Sequence, residues 1–475
     1  MLMNWPKVVR TGILLVLGLL PAFAGNQYLV RTQGSSINTI ASRYGLTVAS
    51  VFTGSASGLS VVQNPGQATE AQVLQWLNSD PGVINAEVDA HVTIPEASLA
   101  SQLRQTQFSQ TSVFSLLQQI LWNLWVSRAS PLQVTPWSGY TTQIAGILVN
   151  LGQAQKLATG SGTVAILDTG ADFTHPALAG SLVPGWDFTN NTSGGYAVPS
   201  LAQSTTSILD QSTTSILDQS TTSILDTNSV IVLDQSTTAT LNQSTTSILD
   251  QSTTSILDQS TTSILDSQPV DDYGHGTMVA GIIHLVAPGA KLMPVRTFTN
   301  DGCGSLSAIV AGIYYAIDHG AKVINMSFSM PSGSQELKTA VDAAYAQGII
   351  LVASAGNEGK NMAVYPASYP NVIGVGSTSD LDLRSTFSNY GAVVTLAAPG
   401  EGVITTYPQN RYAAGWGTSF SAPLVAGGAA LLVQLRPSWN EDNAVRALQQ
   451  ATPVGQQLGA GVLDLFRACS YGASH

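Results

Sequence analysis

The sequence predicts an α/β protein: a doubly wound, mainly parallel sheet with helices on both faces, preceded by a small α+β domain. Three observations carry this. From Gly162 onward, short, continuously apolar segments alternate with longer helical ones, as parallel strands covered on both faces require. Residues 25–95 hold a separate mixture of strand and helix patterns, closed by a Pro81-Gly82 turn. Apolar residues make up 44% of the chain and charged residues only 9%, so there is ample material for two cores.

The first 24 residues read as an export signal. Lys7 and Arg10 precede a short apolar run, Thr11 to Leu20, and Ala22-Phe23-Ala24 offers a small-residue cleavage site before Gly25. The run is too short to span a bilayer comfortably, so no stable membrane anchor is expected. In the α+β unit, Tyr28-Leu29-Val30 and Leu59 to Gln63 read as strands. Ile37 to Tyr44 and Ala71 to Leu77 have helical spacing, and Val83 to Ile94 alternates loosely. The unit contains no cluster of catalytic groups, which points to a structural or regulatory role.

Residues 96–139 form a connector. Its segment Val113 to Val126 is apolar at helical spacing and lacks a basic polar face, so it reads as a helix packed on a neighbouring domain rather than one lying on a membrane. The main domain, 140–465, follows. Its expected strands are Thr163 to Leu167, Lys291 to Val295, Lys322 to Met326, Ile349 to Ala353 and Val372 to Val375. The expected helices are Thr277 to Leu285, Leu306 to His319, Gln335 to Gln347, Ser421 to Leu435 and Glu441 to Gln450. Residues 466–475 read as a C-terminal tail.

A block of eight octapeptides interrupts the domain at 203–266. Most copies are QSTTSILD; Thr227 to Asp234 (TNSVIVLD) and Gln235 to Asn242 (QSTTATLN) are diverged. One unit offers only an Ile and a Leu to a core, so the block is either a weakly ordered surface loop or a thin β-solenoid. Two cysteines, Cys303 and Cys469, lie far apart in sequence and are either two thiols or one disulfide. The formal charge is −11 with no Lys/Arg cluster, which argues against a nucleic-acid partner.

Three motifs carry the chemistry. Asp168 ends an apolar strand in AILDTGAD, His275 opens a helix in DDYGHGTMVAG, and Ser419 opens another in GWGTSFSAPLVAG. Strand ends and helix starts at one edge of a parallel sheet are where such folds place their sites. A serine hydroxyl attacks well only when a base takes its proton, histidine can take and return that proton near neutral pH, and a buried carboxylate fixes the imidazole. Asn357, in ASAGNEG, offers an amide donor for a developing oxyanion. Each motif alone is commonplace as a turn or helix cap. All four in this order on one strand–helix frame point to acyl transfer.

The order Asp, His, Asn, Ser with DTG, HGT, AGN and GTS resembles the subtilisin-like serine peptidases, or subtilases. The resemblance runs from about Tyr140 to Gly461 and also covers VINMS, YPASYPNVIGVG, FSNYG and APG. It implies a secreted, monomeric serine endopeptidase acting on protein and peptide substrates, with Asp168, His275 and Ser419 as triad and Asn357 in the oxyanion hole. It implies that 25–95 is a propeptide, an inhibitor and chaperone removed by self-cleavage between about Ile94 and Tyr140. It assigns the substrate cleft to Ser327, Phe328, Ser329 and to Ala353, Ser354, Ala355 and Gly356, whose small side chains leave room for a large apolar residue; core packing is the other reading of Phe328.

The chain departs from the family's pattern in places. Ser329 and Met330 replace glycines, and Phe420, Ser421 and Leu424 stand where Met, Ala and His are commonest. No cofactor is needed for the chemistry. A structural calcium belongs to the family, but Ala177 stands where it has an acidic ligand, and the loop carrying other ligands is missing between His284 and Ala287, so the metal ligands stay unassigned. Two other functions use the same fold: a non-catalytic surface protein displaying the repeats, and an esterase. The intact motifs argue against the first and the propeptide-like unit against the second.

Overall fold

The structure is a computed structural model describing residues 26–94, 136–195, 231–233, 274–455 and 457–475. The export signal, the apolar segment 113–126 and the octapeptide block apart from 231–233 lie outside the described residues.

The N-terminal unit runs β1 (Gln27–Thr32), α1 (Ile37–Tyr44), β2 (Thr47–Val51), β3 (Leu59–Gln63), α2 (Glu70–Ser79), β4 (Val83–Val88) and a short β5 (His91–Thr93). The first four strands form an antiparallel sheet in the order β2–β3–β1–β4. Thr69 and Gln72 form a capping box at the start of α2. β2 escaped the sequence reading because it is an edge strand with little burial. The sheet buries both faces. Tyr28, Val30 and Val62 meet Ile40, Val73 and Leu77 of the helices, while Leu29, Leu59 and Val61 join a core of the second domain. The two-residue period of a strand makes this a consequence of the β1 sequence YLV.

The second domain opens with α3 (Pro136–Thr141), α4 (Ile144–Leu148) and α5 (Leu151–Ala154), followed by β6 (Thr163–Asp168), β7 (Gly185–Asp187), β8 (Thr192–Gly194) and β9 (Ile231–Leu233). Next come α6 (His275–Val286), β10 (Lys291–Arg296), β11 (Cys303–Ser305), α7 (Leu306–Asp318), β12 (Val323–Met326), α8 (Gln335–Ala346), β13 (Ile350–Ser354), β14 (Ile373–Thr378) and β15 (Leu396–Pro399). The hairpin β16 (Val403–Tyr407) and β17 (Arg411–Gly415) leads into α9 (Thr418–Leu435), α10 (Glu441–Leu448) and α11 (Leu465–Ser474).

Eight strands form the main sheet in the order β15–β14–β13–β12–β6–β10–β7–β8. All pairs are parallel except β7–β8. Along β6 the side chains alternate between the two faces. Val164 and Ile166 enter the core beneath α6 and α9, and Ala165 and Leu167 enter the core beneath α7 and α8. The chain places β10 on one side of β6 and β12 on the other, so the winding reverses at β6, where an open sheet leaves a crevice.

Two boundaries differ from expectation. Residues 466–475, read as a tail, form most of α11. Asp464 caps it through the Arg467 amide (2.9 Å), and Ala468 and Cys469 are buried in the core. Arg467, Ser470 and the terminal polar residues disguise a helix that closes one end of the domain. The start of the domain also reaches into the connector: residues 136–139 belong to α3, whose Tyr140 hydroxyl donates to the Gly281 carbonyl at 2.6 Å. Cys303 and Cys469 are both free thiols, the first on β11 and the second inside α11. Among the described residues, one helix, α9, is long and apolar enough to cross a membrane, and it is enclosed by the core.

Glu441, at the start of α10, is buried and accepts from the Leu351 amide at 3.2 Å. Burial pushes its carboxyl up to about 9, the Leu351 bond opposing and Asp442 adding to the rise. The folded chain therefore holds a proton that the unfolded chain releases at a lower pH. The associated stability is intact below the ordinary carboxylate range and is lost as pH rises through about 9. Thermal stability should fall over that window, and Glu441→Gln should flatten the fall. Parallel pH curves for the two proteins would contradict this.

Candidate active site

Asp168 is the last residue of β6 and is 1% exposed. Its backbone carbonyl accepts from the amides of Thr297 and Phe298, and its Oδ1 accepts from the Thr169 amide at 2.7 Å. His275 is the first residue of α6 and is fully buried. Its Nδ1 lies 2.9 Å from both carboxylate oxygens of Asp168. A ring nitrogen held in that way donates its proton to the carboxylate, which directs Nε2 to act as base.

Two further bonds fix the pair. The Gly276 amide donates to Thr169 Oγ1 (3.0 Å), and the Asp172 amide donates to Thr277 Oγ1 (3.0 Å). The approach needs glycine at 276, since a Cβ there would stand 2.0 Å from the Gly170 carbonyl oxygen.

Ser419 is the second residue of α9 and is also fully buried. Pro423 lies four residues on and has no N–H, so the Ser419 carbonyl receives no helical hydrogen bond from that position. Ser327 Oγ fills the gap, donating to the Ser419 carbonyl at 3.0 Å. In return Ser419 Oγ donates to the Ser327 carbonyl at 3.2 Å. Asn325 Nδ2 in turn donates to Ser327 Oγ at 2.9 Å. Ser327 was expected as a wall of the substrate cleft, and the structure also makes it the tie between β12 and the start of α9. Ser327→Ala leaves the buried Ser419 carbonyl unsatisfied and should cost about 1–3 kcal/mol of stability together with a lower kcat. An unchanged Tm and kcat would show that the tie is dispensable.

Phe420 follows Ser419, and its ring meets the His275 imidazole edge-on, with centroids 5.5 Å apart. Gly415 makes room for that ring, because a Cβ would come within 2.6 Å of it. Asn357 is 6% exposed, and its Oδ1 accepts from both the Thr418 amide (2.9 Å) and Thr418 Oγ1 (2.8 Å). These two bonds fix the Asn357 carboxamide beside the start of α9.

The remaining expected cleft residues lie on two neighbouring segments. Ser327, Phe328 and Ser329 extend β12, while Ala353 and Ser354 end β13 and Ala355 and Gly356 follow it. Ser354 Oγ donates to the Phe328 carbonyl at 3.3 Å, tying the two segments together. Phe328 itself is fully buried against Phe298, 5.2 Å between centroids, so its ring is core. Met330 pairs with Tyr365 in both directions, an ordered backbone contact where glycines were expected.

The N-terminal unit reaches this region. β5 pairs antiparallel with β11, matching Thr93 to Cys303 and His91 to Ser305, and the Ile94 amide donates to the Gly302 carbonyl at 2.9 Å. Val92 and Ile94 share a buried cluster with Phe298 and Phe328. Two carboxylates of the unit cap helices of the other domain. Glu87 accepts from Ser334 Oγ and from the Gln335 and Glu336 amides at the start of α8, and Asp89 accepts from Ser307 N and Oγ at the start of α7. Burial pushes the Asp89 carboxyl up, against the pull of its Ser307 bonds. Arg31 and Asn85 both bind the buried Glu336 carboxylate, at 2.8 and 3.0 Å. Sequence reasoning missed these contacts; the spacing Glu87-x-Asp89 was their one local trace.

The position read in the sequence as lacking the family's acidic calcium ligand is apolar in the structure too. Ala177 packs against the apolar core where the acidic ligand would stand, and only four residues separate α6 from β10. Among the described residues no group of three His, Cys, Asp or Glu side chains is placed to hold a metal.

A parallel sheet with a histidine–aspartate pair and a helix-start serine near its reversal point is the frame of a serine hydrolase. The family model described as the Subtilase family matches residues 160–468. The chain belongs to that family of serine endopeptidases. Thermitase from Thermoactinomyces vulgaris is 33% identical over 332 residues, covering 67% of this chain and 92% of thermitase. Subtilisin DY from Bacillus licheniformis is 41% identical over 218 residues, covering 42% of this chain and 80% of the relative. Among solved structures, fervidolysin from Fervidobacterium pennivorans, a keratinolytic enzyme related to subtilisin, has a TM-score of 0.61 at 20% identity. The match covers 94% of this chain and 61% of fervidolysin, and at that identity it speaks for the fold.

Proposed function

We propose that the protein is a secreted endopeptidase, made as a self-processing precursor, that cleaves peptide bonds with Asp168, His275 and Ser419. The observation that carries this reading is the buried His275–Asp168 pair at 2.9 Å beside a helix-start serine. His275 Nε2 takes the Ser419 proton as Oγ bonds to the scissile carbonyl carbon. The carbonyl π pair moves to oxygen, and the Asn357 amide and helix-start N–H groups of α9 stabilise that oxyanion. Collapse expels the amine, which receives the proton from His275 and leaves an acyl-enzyme. Water, deprotonated by His275, then releases the acid and restores Ser419. Asp168 holds the imidazolium through its Nδ1. The small residues Ala353 to Gly356 suit a large apolar side chain on the acyl side of the bond. The pattern of residues 1–24 supports export.

A fluorophosphonate tests the site. Ser419 Oγ should displace fluoride from phosphorus, adding one label that maps to Ser419 and stops digestion of unfolded casein. Labelling elsewhere with full loss of activity would sink the assignment.

The N-terminal unit acts as inhibitor and chaperone in this reading, since it covers the α7–α8 face and adds a strand to β11. Replacing both caps, Glu87→Ala with Asp89→Ala, should remove roughly 2 kcal/mol of docking energy, about a 30-fold rise in the inhibition constant of the N-terminal fragment against processed enzyme. An unchanged constant would mean that docking rests on the apolar face alone.

A further inference from the structure

We infer, resting on the serine-peptidase reading above, that Asn325 is a positioning residue for the nucleophile: acting through Ser327, it fixes the first turn of α9 and with it the place from which Ser419 attacks. Position 325 lies inside the main sheet, where β12 runs between β13 and β6. It pairs in register with Val352 and Ile166. Both belong to the apolar core beneath α6 and α9, as does Val323, two residues earlier on the same face of β12. A parallel strand covered on both faces carries apolar residues at such places. Asn325 is instead a fully buried amide, and its Oδ1 has no hydrogen-bond partner among the described residues. An unpaired buried acceptor is costly, and a polar group kept in a core at that cost marks a role other than packing.

The geometry supplies that role. Asn325 Nδ2 donates to Ser327 Oγ at 2.9 Å, and Ser327 Oγ donates to the Ser419 carbonyl at 3.0 Å. A hydroxyl has a single proton. Asn325 meets it with a donor, so that proton is left for the Ser419 carbonyl. With the amide turned over, Asn325 Oδ1 and the Ser419 carbonyl would compete for it. Asn325 thus sets the direction of the chain and holds Ser327 in one of the staggered rotamers open to it. The Ser419 carbonyl depends on this bond, since Pro423 has no N–H to give. Asp168 stands two residues past Ile166 on β6, and β13 ends three residues before Asn357. One rung of the sheet therefore leads to the carboxylate that holds His275, to Asn357 and, through Asn325, to the nucleophile. A small displacement of a reacting group costs rate more than binding, so loss of this tether falls on kcat.

The experiment compares Asn325→Ala, Ser327→Ala, the double variant and Asn325→Asp with the parent. Each is made as the full precursor and assayed after processing, on a short peptide substrate and below its own Tm. Where a variant matures slowly, a trace of tagged parent completes the processing and is then removed. N325A should lose about tenfold or more in kcat, with KM within about twofold of the parent's. Because Asn325 acts through Ser327, adding N325A to S327A should lower kcat no further. N325D is the conservative variant. Burial keeps its carboxyl neutral at the acid end of the working range, where the carboxyl O–H replaces the lost N–H. There N325D should keep kcat within about threefold of the parent, and the ratio should fall as rising pH ionises the carboxyl. A kcat of N325A equal to the parent's would overturn the inference, as would a raised KM with kcat intact, or losses that multiply in the double variant. If N325A does not fold, N325D decides alone, and a ratio to the parent that stays constant with pH overturns the inference. A parent that cleaves no peptide brings down the serine-peptidase reading and this inference with it, and that result is told apart from the others because it does not depend on position 325.

Discussion

Ser419→Ala should leave a folded precursor that neither shortens nor digests casein. Without the nucleophile only binding and oxyanion stabilisation remain, a loss of about 10⁶ in kcat for a triad of this kind. The wild-type chain expressed in parallel should lose a segment ending between Ile94 and Tyr140, as read by intact mass. The substitution removes one of the two bonds between Ser327 and Ser419, the one from Oγ to the Ser327 carbonyl, and keeps the one to the Ser419 carbonyl. The Tm should therefore change little. A mutant that still shortens when purified away from other proteases would show that processing runs through another group.

Asn357→Ala comes next in size. The corresponding donor in a relative, subtilisin, is worth about 10²–10³ in kcat, and the same order is expected here with little change in KM. The oxyanion forms only after attack, so its donor acts on the transition state and not on substrate binding. The geometry predicts a second, smaller effect. Asn357 Oδ1 holds both the amide and the hydroxyl of Thr418, so its loss also loosens the turn before Ser419 and should lower stability by about 1 kcal/mol. A raised KM with kcat intact would instead make Asn357 a substrate-binding residue.

Much of this molecule is legible in its sequence because the deciding signals are local. The continuous apolar run in TVAIL and those of the other parallel strands state their burial on both faces directly. The helices of the main domain are marked by caps at Ser305, Ser334 and Asn440, each accepting from an amide three residues on. Asp168, His275, Asn357 and Ser419 stand in short motifs whose glycines reflect close backbone approach, as at Gly276.

Tertiary structure alone decided the rest, because those features depend on residues far apart in the chain. α11 looks like a polar tail until α9 and α5 give its Ala468 and Cys469 a core to enter. Phe328 reads equally as cleft or core in the sequence until Phe298, from a different strand crossover, covers its ring. The tie from Asn325 through Ser327 to Ser419 crosses some ninety residues, and its cause, the missing N–H of Pro423, becomes visible only when β12 lies beside α9. Glu87 and Asp89 are ordinary strand-end acids in sequence. They become helix caps because two helix starts of the other domain stand side by side at the spacing of alternate residues. Sequence determines which groups and periodicities are present; packing decides which of their polar atoms find each other, since a hydrogen bond depends on sub-ångström geometry that no local pattern encodes.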